Sequence, residues 1–472
     1  MTVAQNMEFI QEKGQNIIDK YLIPGVALGI AQDGQLVYGH GFGYSNIANR
    51  KPVTLDTVFG IASVTKSITC VAIMQLQEAG KLNVYDPVVN YLDTFKTPSP
   101  YTETMTIHHF MTHSSGIPPL SANYYARKRS LDLDPSVKDF PGLTLDGDHE
   151  REPIDTHNQL LEYIGQLTYE VLGEPGTAFS YSNDCYALLG AIIEKVSGKP
   201  YDQYIKDHIL APIGMTHSCG LIEELDGYED VTSLYAMKKG EQGNEVYEAP
   251  VWWHSPAMLA AGYLKSTVND MLKYAEIFRN QGKVGNQQLL TPESVKAMMH
   301  PHIEYEPGKY YGYGLMVTPN YYGGTLVEHG GSTKAVSSQL VIVPERNITG
   351  MVLANLAGVP SSTLLEGALN VYEGRAFDAA VTSHMEYACT ADDLLQFAGE
   401  YVSNEGMKLT VSVKDSNLEF SASGATFPVT SIGKDLFLAS VREQTEVIRF
   451  IRNDSGEISR VAYHLRQFPK VN

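Results

Sequence analysis

The sequence predicts an α/β fold, with an antiparallel sheet flanked by helices, followed by a small antiparallel β-barrel. Strand-like apolar runs open the chain and return with "YGYGLMV", and a mostly helical stretch lies between them. Beyond residue 392 short strands recur at regular spacing, which is typical of an all-β module. We therefore expect one sheet built from the first and last strand-rich parts, with the helical middle inserted between them.

The first eighty residues are predicted to form a helix, a hairpin and a second helix. The opening "MTVAQNMEFIQEKGQNIIDKYLIPG" has amphipathic helical periodicity. Apolar runs on both sides of Asp33-Gly34 predict a β-hairpin. Helical periodicity then runs from Ser63 to about Leu82, and Gly80 is the expected C-terminal stop.

The middle of the chain, roughly residues 64–255, is predicted to be an all-helical subdomain. It contains two amphipathic helices in "YSNDCYALLGAIIEKVSGKPYDQYIKDHIL", separated by Ser197-Gly198-Lys199-Pro200. The segment 118–155 is charged and rich in Pro and Asp. Loops of that length are usually functional or disordered, so this segment is a candidate specificity lid.

Two domains follow from these patterns. Residues 1–378 are predicted to form the first domain, and the pattern breaks at about 376–392. We place a linker at 379–391 and a C-terminal domain at 392–472, expected to be a small barrel or half-barrel.

Composition excludes several classes of protein. The chain has 472 residues, 43% of them hydrophobic and 19% charged, as in a folded globular protein. A net charge of −19 argues against nucleic acid as the main partner. The four cysteines have no framework spacing, so free buried thiols are expected rather than disulfides or metal ligands.

The sequence also bears on localisation. We expect no membrane span, because no apolar run is long enough. The chain as numbered opens without the pattern of a signal peptide, which predicts a cytoplasmic protein. If a leader has been removed, the same sequence would belong to a secreted or periplasmic protein.

Ser63 and Lys66 form the first candidate catalytic pair, in "FGIASVTKSI". Three residues are nearly one helical turn, so both side chains emerge on the same face. At the first turn of a helix, free N–H groups favour developing negative charge on the serine oxygen. The spacing therefore suits a nucleophile with an adjacent base.

Two further motifs accompany this pair, since Ser-x-x-Lys alone occurs by chance in many helices. "PGTAFSYSNDCYALLG" places Tyr181-Ser182-Asn183 just before a helix. "VEHGGSTKAVSSQLVIVP" places His329, Gly330, Gly331 and Ser332 at the start or edge of a strand. The same three-part order is known in serine β-lactamases and penicillin-binding proteins.

With these motifs the chain resembles the class C β-lactamase-related serine hydrolases, which include penicillin-binding peptidases, D-aminopeptidases and esterases. The resemblance covers roughly residues 15–375 and extends to "TIHHFMTHSSGIP", "LAPIGMTHS" and "AGYLKSTVNDMLKYA". It implies a β-lactamase/transpeptidase-like fold. The terminal β-module resembles the lipocalin-like tail of some peptidase members.

The resemblance implies a role for each motif residue. Ser63 would be the acylating nucleophile and Lys66 its base, and Tyr181 would share proton transfer and pass a proton to the leaving group. Asn183 would hold Lys66 and the substrate amide. The oxyanion hole would be the backbone N–H groups of Ser63 and Ser332.

The glycine pair and the histidine of the third motif have separate expected roles. Gly330 and Gly331 would let a strand backbone approach the substrate closely. His329 stands where penicillinases of this family usually have a lysine that attracts a substrate carboxylate. Because histidine titrates near neutral pH, we expect a weaker anion trap, or a residue that only caps the strand end. The substitution favours peptidases over efficient β-lactamases.

Three other patterns are given structural interpretations. "HHFMTH" places His109 and His113 four residues apart but lacks the glutamate of H-E-x-x-H, so no metal is assigned. No G-x-S-x-G occurs, which excludes an α/β-hydrolase elbow. The charged, tyrosine-containing cluster at 124–129 is interpreted as a solvated loop rather than a substrate-facing patch.

The predicted function is that of a serine peptidase or amidase on small peptides, including peptides with D-residues. An esterase or a weak class C-type β-lactamase is the alternative enzyme, and a catalytically silent binding protein is the alternative of another class. Expected partners are a small-molecule, peptide or ester substrate, with β-lactams as acylating ligands. No cofactor is expected, and the sequence leaves the oligomeric state open.

Overall fold

We describe the protein from a computed structural model. The structure describes residues 3–140, 151–241, 243–381, 385–415, 417–422, 424–441 and 444–471. Part of the candidate lid, residues 141–150, therefore lies outside the described residues. None of the helices in the described ranges is long and apolar enough to cross a membrane.

The helices of the described ranges all precede the barrel strands in the chain. They are α1 (Val3–Lys20), α2 (Thr65–Glu78), α3 (Ile107–Met111), α4 (Ala122–Asp132), α5 (His157–Gln166), α6 (Asn183–Ser197), α7 (Tyr201–Ile205), α8 (Leu259–Gly262), α9 (Val268–Arg279), α10 (Pro292–Met298), α11 (Ser361–Tyr372) and α12 (Ala391–Leu395). The opening helix and the pair α6 and α7 confirm the predicted helices at these places.

Within the described ranges, the strands form a large sheet, three two-stranded ribbons and a barrel. Those before the barrel are β1 (Gly25–Gln32), β2 (Gln35–Asn46), β3 (Lys51–Pro52), β4 (Phe59–Gly60), β5 (Tyr235–Gly240), β6 (Gly243–Glu248), β7 (Lys265–Ser266), β8 (Lys283–Val284), β9 (Gln287–Gln288), β10 (Ile303–Glu306), β11 (Lys309–Tyr311), β12 (Met316–Tyr321), β13 (Gly324–Thr333), β14 (Val336–Val343) and β15 (Ile348–Ala354). The barrel strands are β16 (Gly399–Val402), β17 (Lys408–Lys414), β18 (Asn417–Ala422), β19 (Ala425–Gly433), β20 (Leu436–Val441), β21 (Gln444–Arg452), β22 (Ile458–Tyr463) and β23 (Arg466–Val471).

Nine strands form one antiparallel sheet in the order β10-β11-β12-β13-β14-β15-β1-β2-β3. The first strands join the last ones through β1, where Val26 stands opposite Ala354 on one side and Phe42 on the other. This confirms the sheet predicted from the two strand-rich parts. The hairpin turn at Asp33-Gly34 is also as predicted, and both residues have positive φ.

Strand β1 shows why the sheet is covered on both faces. Val26, Leu28 and Ile30 pack in one apolar core with α1 and α11, while Ala27 and Ala31 belong to the other core, with α9. Successive side chains of a strand point to opposite faces, so a fully apolar strand needs two covers.

Helix α2 lies at the centre of the second core and carries the candidate catalytic lysine. Most of its residues are buried, including Lys66. The predicted helix start is corrected: α2 begins at Thr65, and Ser63 lies in a 3₁₀ turn over Ala62–Val64. In addition, the region predicted to be helical contains the β-hairpin of β5 and β6.

The C-terminal strands close into an eight-stranded barrel, each strand pairing with the next and β16 pairing with β23. Its interior is packed with aromatic side chains, among them Phe397, Phe420, Phe437 and Phe450. This confirms a small antiparallel barrel, in its closed form. The domain boundaries at 378 and 391 stay predictions.

Candidate active site

Ser63 sits on a strained turn between a short strand and α2. Strand β4 pairs with β7, and Ala62 then adopts a positive φ of 44°. Such a conformation is unfavourable for a residue with a Cβ and persists only where the surroundings fix it. The turn leaves Ser63 partly exposed on the wall of a cavity, while Ala62 and Val64 are buried.

Lys66 is fully buried one turn after Ser63, with its amine facing the serine. Its Nζ lies 3.4 Å from the Ser63 Oγ. The same nitrogen donates to the Oδ1 of Asn183 at 2.8 Å and to the Ala261 carbonyl at 2.5 Å. A neutral amine has two N–H groups and one lone pair, so these two acceptors leave the lone pair for the serine hydroxyl.

The surroundings of Lys66 favour that neutral form. Burial holds the pKa of Lys66 well below its usual value, and the charge of Arg466 lowers it further. Burial disfavours an ammonium because it removes the water that solvates the charge. The arrangement can therefore supply a base one turn from the nucleophile.

Tyr181 covers the same pair from the loop before α6. Its hydroxyl is hydrogen-bonded to Ser63, and its ring centre lies 4.6 Å from the Lys66 Nζ. Ser182 caps α6 by accepting from Cys185 N, which fixes the chain on which Tyr181 stands. Burial raises the pKa of Tyr181 far above 10, so the phenol stays protonated and can donate a proton.

Strand β13 passes directly behind the turn that carries Ser63. A Cβ on Gly331 would lie 2.6 Å from the Ile61 carbonyl oxygen and 2.9 Å from the Ser63 nitrogen. The missing side chain of Gly331 therefore makes room for the turn that carries Ser63, and its predicted role in approach to the substrate stays a prediction. At Gly330 the nearest atom would be the Gln339 Oε1, at 2.8 Å.

His329 does not face the cavity. It is 1% exposed, its Nε2 lies 2.9 Å from the Tyr311 hydroxyl, and its Nδ1 lies 2.6 Å from the Gly330 carbonyl. A carbonyl can only accept, so Nδ1 carries the proton and Nε2 accepts from Tyr311. Burial lowers the pKa of His329 to about 3. The expected titration near neutral pH is therefore wrong, and a neutral histidine holds no carboxylate by charge.

The cavity in front of Ser63 has a volume of about 350 Å³ and three walls. The first wall contains the motif residues Ser63, Asn183 and Ser332. The second comes from the helical region, and the third from the barrel. The residues of these two walls include Tyr124, Arg127, Trp253, Glu405, Met407 and Arg466.

The helical wall corrects the interpretation of the cluster at 124–129. These residues form part of α4, and Tyr124 and Arg127 line the cavity. The guanidinium of Arg127 lies 5.6 Å from the ring centre of Trp253. In the sequence, the only signal for this wall was the high density of charged and tyrosine side chains at 124–129. Such a density does not distinguish a solvated loop from a cavity wall.

A contribution of the terminal β-module to the active site was one of the roles that the sequence left open, but the residues of the barrel wall were not identified from it. Arg466 forms an ion pair with Glu405 at 2.7 Å and lies 5.5 Å from the ring centre of Tyr181. No sequence pattern marks the turn at His464-Leu465, and none tells where that turn docks. Sequence reasoning also missed Ala261, whose contribution is a backbone carbonyl.

The histidines of "HHFMTH" have structural contacts. His109 caps α3, and the His113 ring packs against the Tyr181 ring with ring centres 4.1 Å apart and planes tilted by 36°. The His113 Nδ1 accepts from the Ser182 N–H at 3.1 Å. Within the described ranges, no group of three or more His, Cys, Asp and Glu side chains is placed to hold a metal ion.

Comparisons with known proteins cover nearly the whole chain. A family model described as Beta-lactamase matches residues 8–372. Penicillin-binding protein 4* of Bacillus subtilis (strain 168) is 22% identical over 433 residues, 88% of this chain and 87% of that protein. The octameric penicillin-binding protein homologue from Pyrococcus abyssi aligns over 100% of both chains, with TM-score 0.69 and 29% identity.

A D-stereospecific amidohydrolase from Streptomyces sp. shares the fold. Its TM-score is 0.57 and its identity 21%, over 75% of this chain and 97% of that one. Because the Pyrococcus homologue aligns over the full length, the likeness includes the C-terminal barrel.

Proposed function

Because this chain belongs to the beta-lactamase family of serine hydrolases, we propose that it is an amidase or peptidase that acylates Ser63. The observation that carries the proposal is the buried Lys66 amine, with two protein acceptors and the Ser63 Oγ at 3.4 Å. The substrates we propose are small peptides, including peptides with D-residues.

In the first step Lys66 takes the proton of Ser63 as the serine Oγ attacks the substrate carbonyl carbon. The carbonyl π electrons move to the oxygen, which the N–H groups of Ser63 and Ser332 stabilise. Each such donor typically contributes on the order of 3 kcal/mol to the transition state. The fixed position of Ser63 behind Gly331 supports this arrangement.

In the second step the tetrahedral intermediate collapses and the C–N bond breaks. Tyr181 gives its proton to the leaving nitrogen and is reprotonated by Lys66, which restores the neutral amine. Water then attacks the acyl-enzyme by the same route in reverse and releases the acid and free Ser63. The high pKa of Tyr181 supports its role as proton donor rather than as resting base.

The substrate class is supported by the cavity and by the third motif. A cavity of about 350 Å³ walled by the barrel accommodates a few residues rather than a long chain. Neutral His329 provides no cation for a β-lactam carboxylate, which supports a peptide substrate over an efficient β-lactamase. The relatives named as penicillin-binding proteins support the same class.

The test is acylation followed by intact mass, with Ser63→Ala as control. We expect benzylpenicillin and a fluorophosphonate to add to the natural chain and not to Ser63→Ala. Paired D- and L-amino-acid anilides, at equal concentration, then report amide hydrolysis and stereochemical preference.

Each other result selects a different function. Turnover of short-chain esters without anilide hydrolysis would indicate an esterase, and rapid loss of penicillin would indicate a β-lactamase. A natural chain that no reagent labels would refute acylation of Ser63 and leave a catalytically silent binding protein.

A further inference from the structure

The tip of one barrel hairpin lies directly against the chain that carries Tyr181. The hairpin joins β22 to β23, and its two turn residues, His464 and Leu465, have φ of 46° and 65°. The Leu465 carbonyl accepts from the Tyr181 N–H at 2.8 Å. Gln467 donates from its Nε2 to the Phe179 carbonyl at 2.9 Å. The barrel therefore holds the backbone on both sides of Ser180.

The first residue after this turn, Arg466, extends into the active site. Its guanidinium lies 5.5 Å from the ring centre of Tyr181, on the cavity that Ser63 also lines. Its Nε donates to the Glu405 Oε2 at 2.7 Å, and Glu405 comes from the turn between β16 and β17. The two side chains are 22% and 14% exposed. A cation and its counter-ion thus enter the site together from the barrel.

Both the Lys66 amine and the Arg466 guanidinium lie against the Tyr181 ring. We propose that Arg466 is a positioning residue: its charge, partly balanced by Glu405, adds to the burial of Lys66 in favouring the form that accepts the Ser63 proton. The inference rests on the proposed acylation of Ser63. A fixed positive charge disfavours a second positive charge nearby, and the effect is larger when one of the two groups is buried, as Lys66 is. The cation also lies against the Tyr181 ring, where ring and charge attract each other.

The other groups around Lys66 act in known directions. Arg466 lowers its pKa, and three acidic groups raise it, namely Cys70, Asp184 and Glu405. In the described part of the chain, the other titratable groups near Lys66 are Tyr181, Tyr186, His113 and His329. Burial keeps both histidines neutral and both phenols protonated, so Arg466 and Glu405 are the opposed pair that the barrel supplies.

The test measures how fast a fluorophosphonate labels Ser63 between pH 5 and 10, in the full chain. In this reaction the Ser63 oxygen bonds to phosphorus, fluoride leaves, and Lys66 takes the proton. The probe carries no amino acid, so its rate reports activation of the serine rather than recognition of a peptide. The rate rises with pH until Lys66 is neutral, and this rise is the acidic limb of the profile.

Two substitutions should move the acidic limb in opposite directions. Arg466→Gln should shift it to higher pH by about half to one unit, because protonated Lys66 becomes easier to form. Glu405→Gln should shift it to lower pH, because the Arg466 charge is then unbalanced. Arg466→Lys should keep the natural limb, since the charge remains. A loss of packing alone would lower the rate at every pH and move no limb.

The matched control is Arg460→Gln. Arg460 also joins the barrel to the first domain, donating from Nη1 to the Leu172 carbonyl at 2.7 Å, and it does not line the cavity. Its substitution should leave the limb in place, and thermal melts of all variants report folding.

Three results would overturn the proposal. The first is an unmoved limb in both Arg466→Gln and Glu405→Gln. The second is a shift of the same sign in both variants. The third is a normal labelling profile with a raised KM for peptides only, which would assign Arg466 to the substrate. A natural chain that is not labelled would refute the acylation itself, before any variant is compared.

Discussion

The most direct test of the site geometry is to replace one glycine of the His-Gly-Gly motif. A Cβ at position 331 would lie 2.6 Å from the Ile61 carbonyl oxygen and 2.9 Å from the Ser63 nitrogen. Both are backbone atoms of the nucleophile turn, so neither can rotate away. The nearest atom, the Ser338 Oγ at 2.4 Å, could turn aside, but only by leaving its hydrogen bond to Ile61. Gly331→Ala must therefore displace Ser63 or β13.

The size of the effect follows from these contacts. Forcing one extra methyl group into a packed site costs about 1–3 kcal/mol. A reacting atom displaced by about 1 Å loses roughly 100-fold in rate, and the Ser63 N–H would leave the oxyanion position together with the Oγ. We expect Gly331→Ala to fold with a lowered melting temperature and to be labelled by a fluorophosphonate roughly 100-fold more slowly.

The neighbouring glycine provides the matched comparison. At Gly330 a Cβ would meet only the end of the Gln339 side chain, which can move. We expect Gly330→Ala to lose much less labelling rate than Gly331→Ala, with both rates measured against thermal melts of the same samples. Equal losses in the two variants, or near-natural labelling of Gly331→Ala, would refute the reasoning from backbone contact.

Three further predictions address the proton donor, the barrel and a buried acid. Tyr181→Phe should lower kcat/KM about 100-fold or more for anilides and much less for p-nitrophenyl esters, whose leaving group needs no proton. Deleting residues 390–472 should lower the melting temperature and slow labelling at least about tenfold, because Tyr181 loses its Leu465 contact. Burial raises the pKa of Asp184 from 3.8 to about 7. The folded protein therefore binds this proton more tightly than the unfolded chain does, and the protein loses stability as the pH rises from about 4 to about 7. Asp184→Asn removes this titration, so the variant should melt at a higher temperature than the natural chain between pH 5 and 8. The corresponding gain in the free energy of unfolding is at most roughly 4 kcal/mol.

Each of these has an outcome that would contradict it. Equal losses on anilides and esters would show that Tyr181 does not protonate the leaving group. A truncated chain with the natural labelling rate would show that the barrel is not needed to hold Tyr181. A melting-temperature difference between Asp184→Asn and the natural chain that stays constant with pH would show that Asp184 is ionised in the folded state throughout.

The sheet and the three motifs were predictable because each depends on a local pattern. Alternating apolar residues specify a strand wherever it pairs, and the three-residue spacing places Ser63 and Lys66 on adjoining turns before any tertiary contact forms. The predictions that were wrong concern properties that depend on contacts with distant parts of the chain. His329 is neutral because Tyr311 and the surrounding core bury it, and no pattern around residue 329 reports that burial.

Residues 124–129 belong to α4 in the structure, and their interpretation as a solvated loop was wrong for a related reason. The residues of this helix are polar on average, and polarity predicts solvent exposure when nothing is known of the opposite wall. In the structure Tyr125 and Ala126 pack in the core, and Tyr124 and Arg127 line the cavity. The docking of the barrel was unpredictable in the same way, because the hairpin and its target are each ordinary by themselves.

The filled interior of the barrel decides where its contribution to function lies. A barrel of eight strands is just wide enough for side chains to fill it or for one small ligand. Here Phe397, Phe420 and Phe450 are buried in that interior, so the side chains take the space. Among the described residues of the barrel, those that line the active-site cavity are Glu405 and Met407, in the turn before β17, and Arg466, at the start of β23. Substitutions inside the barrel should therefore change stability, whereas substitutions of Glu405 and Arg466 should change the chemistry of Ser63, which lies outside the barrel.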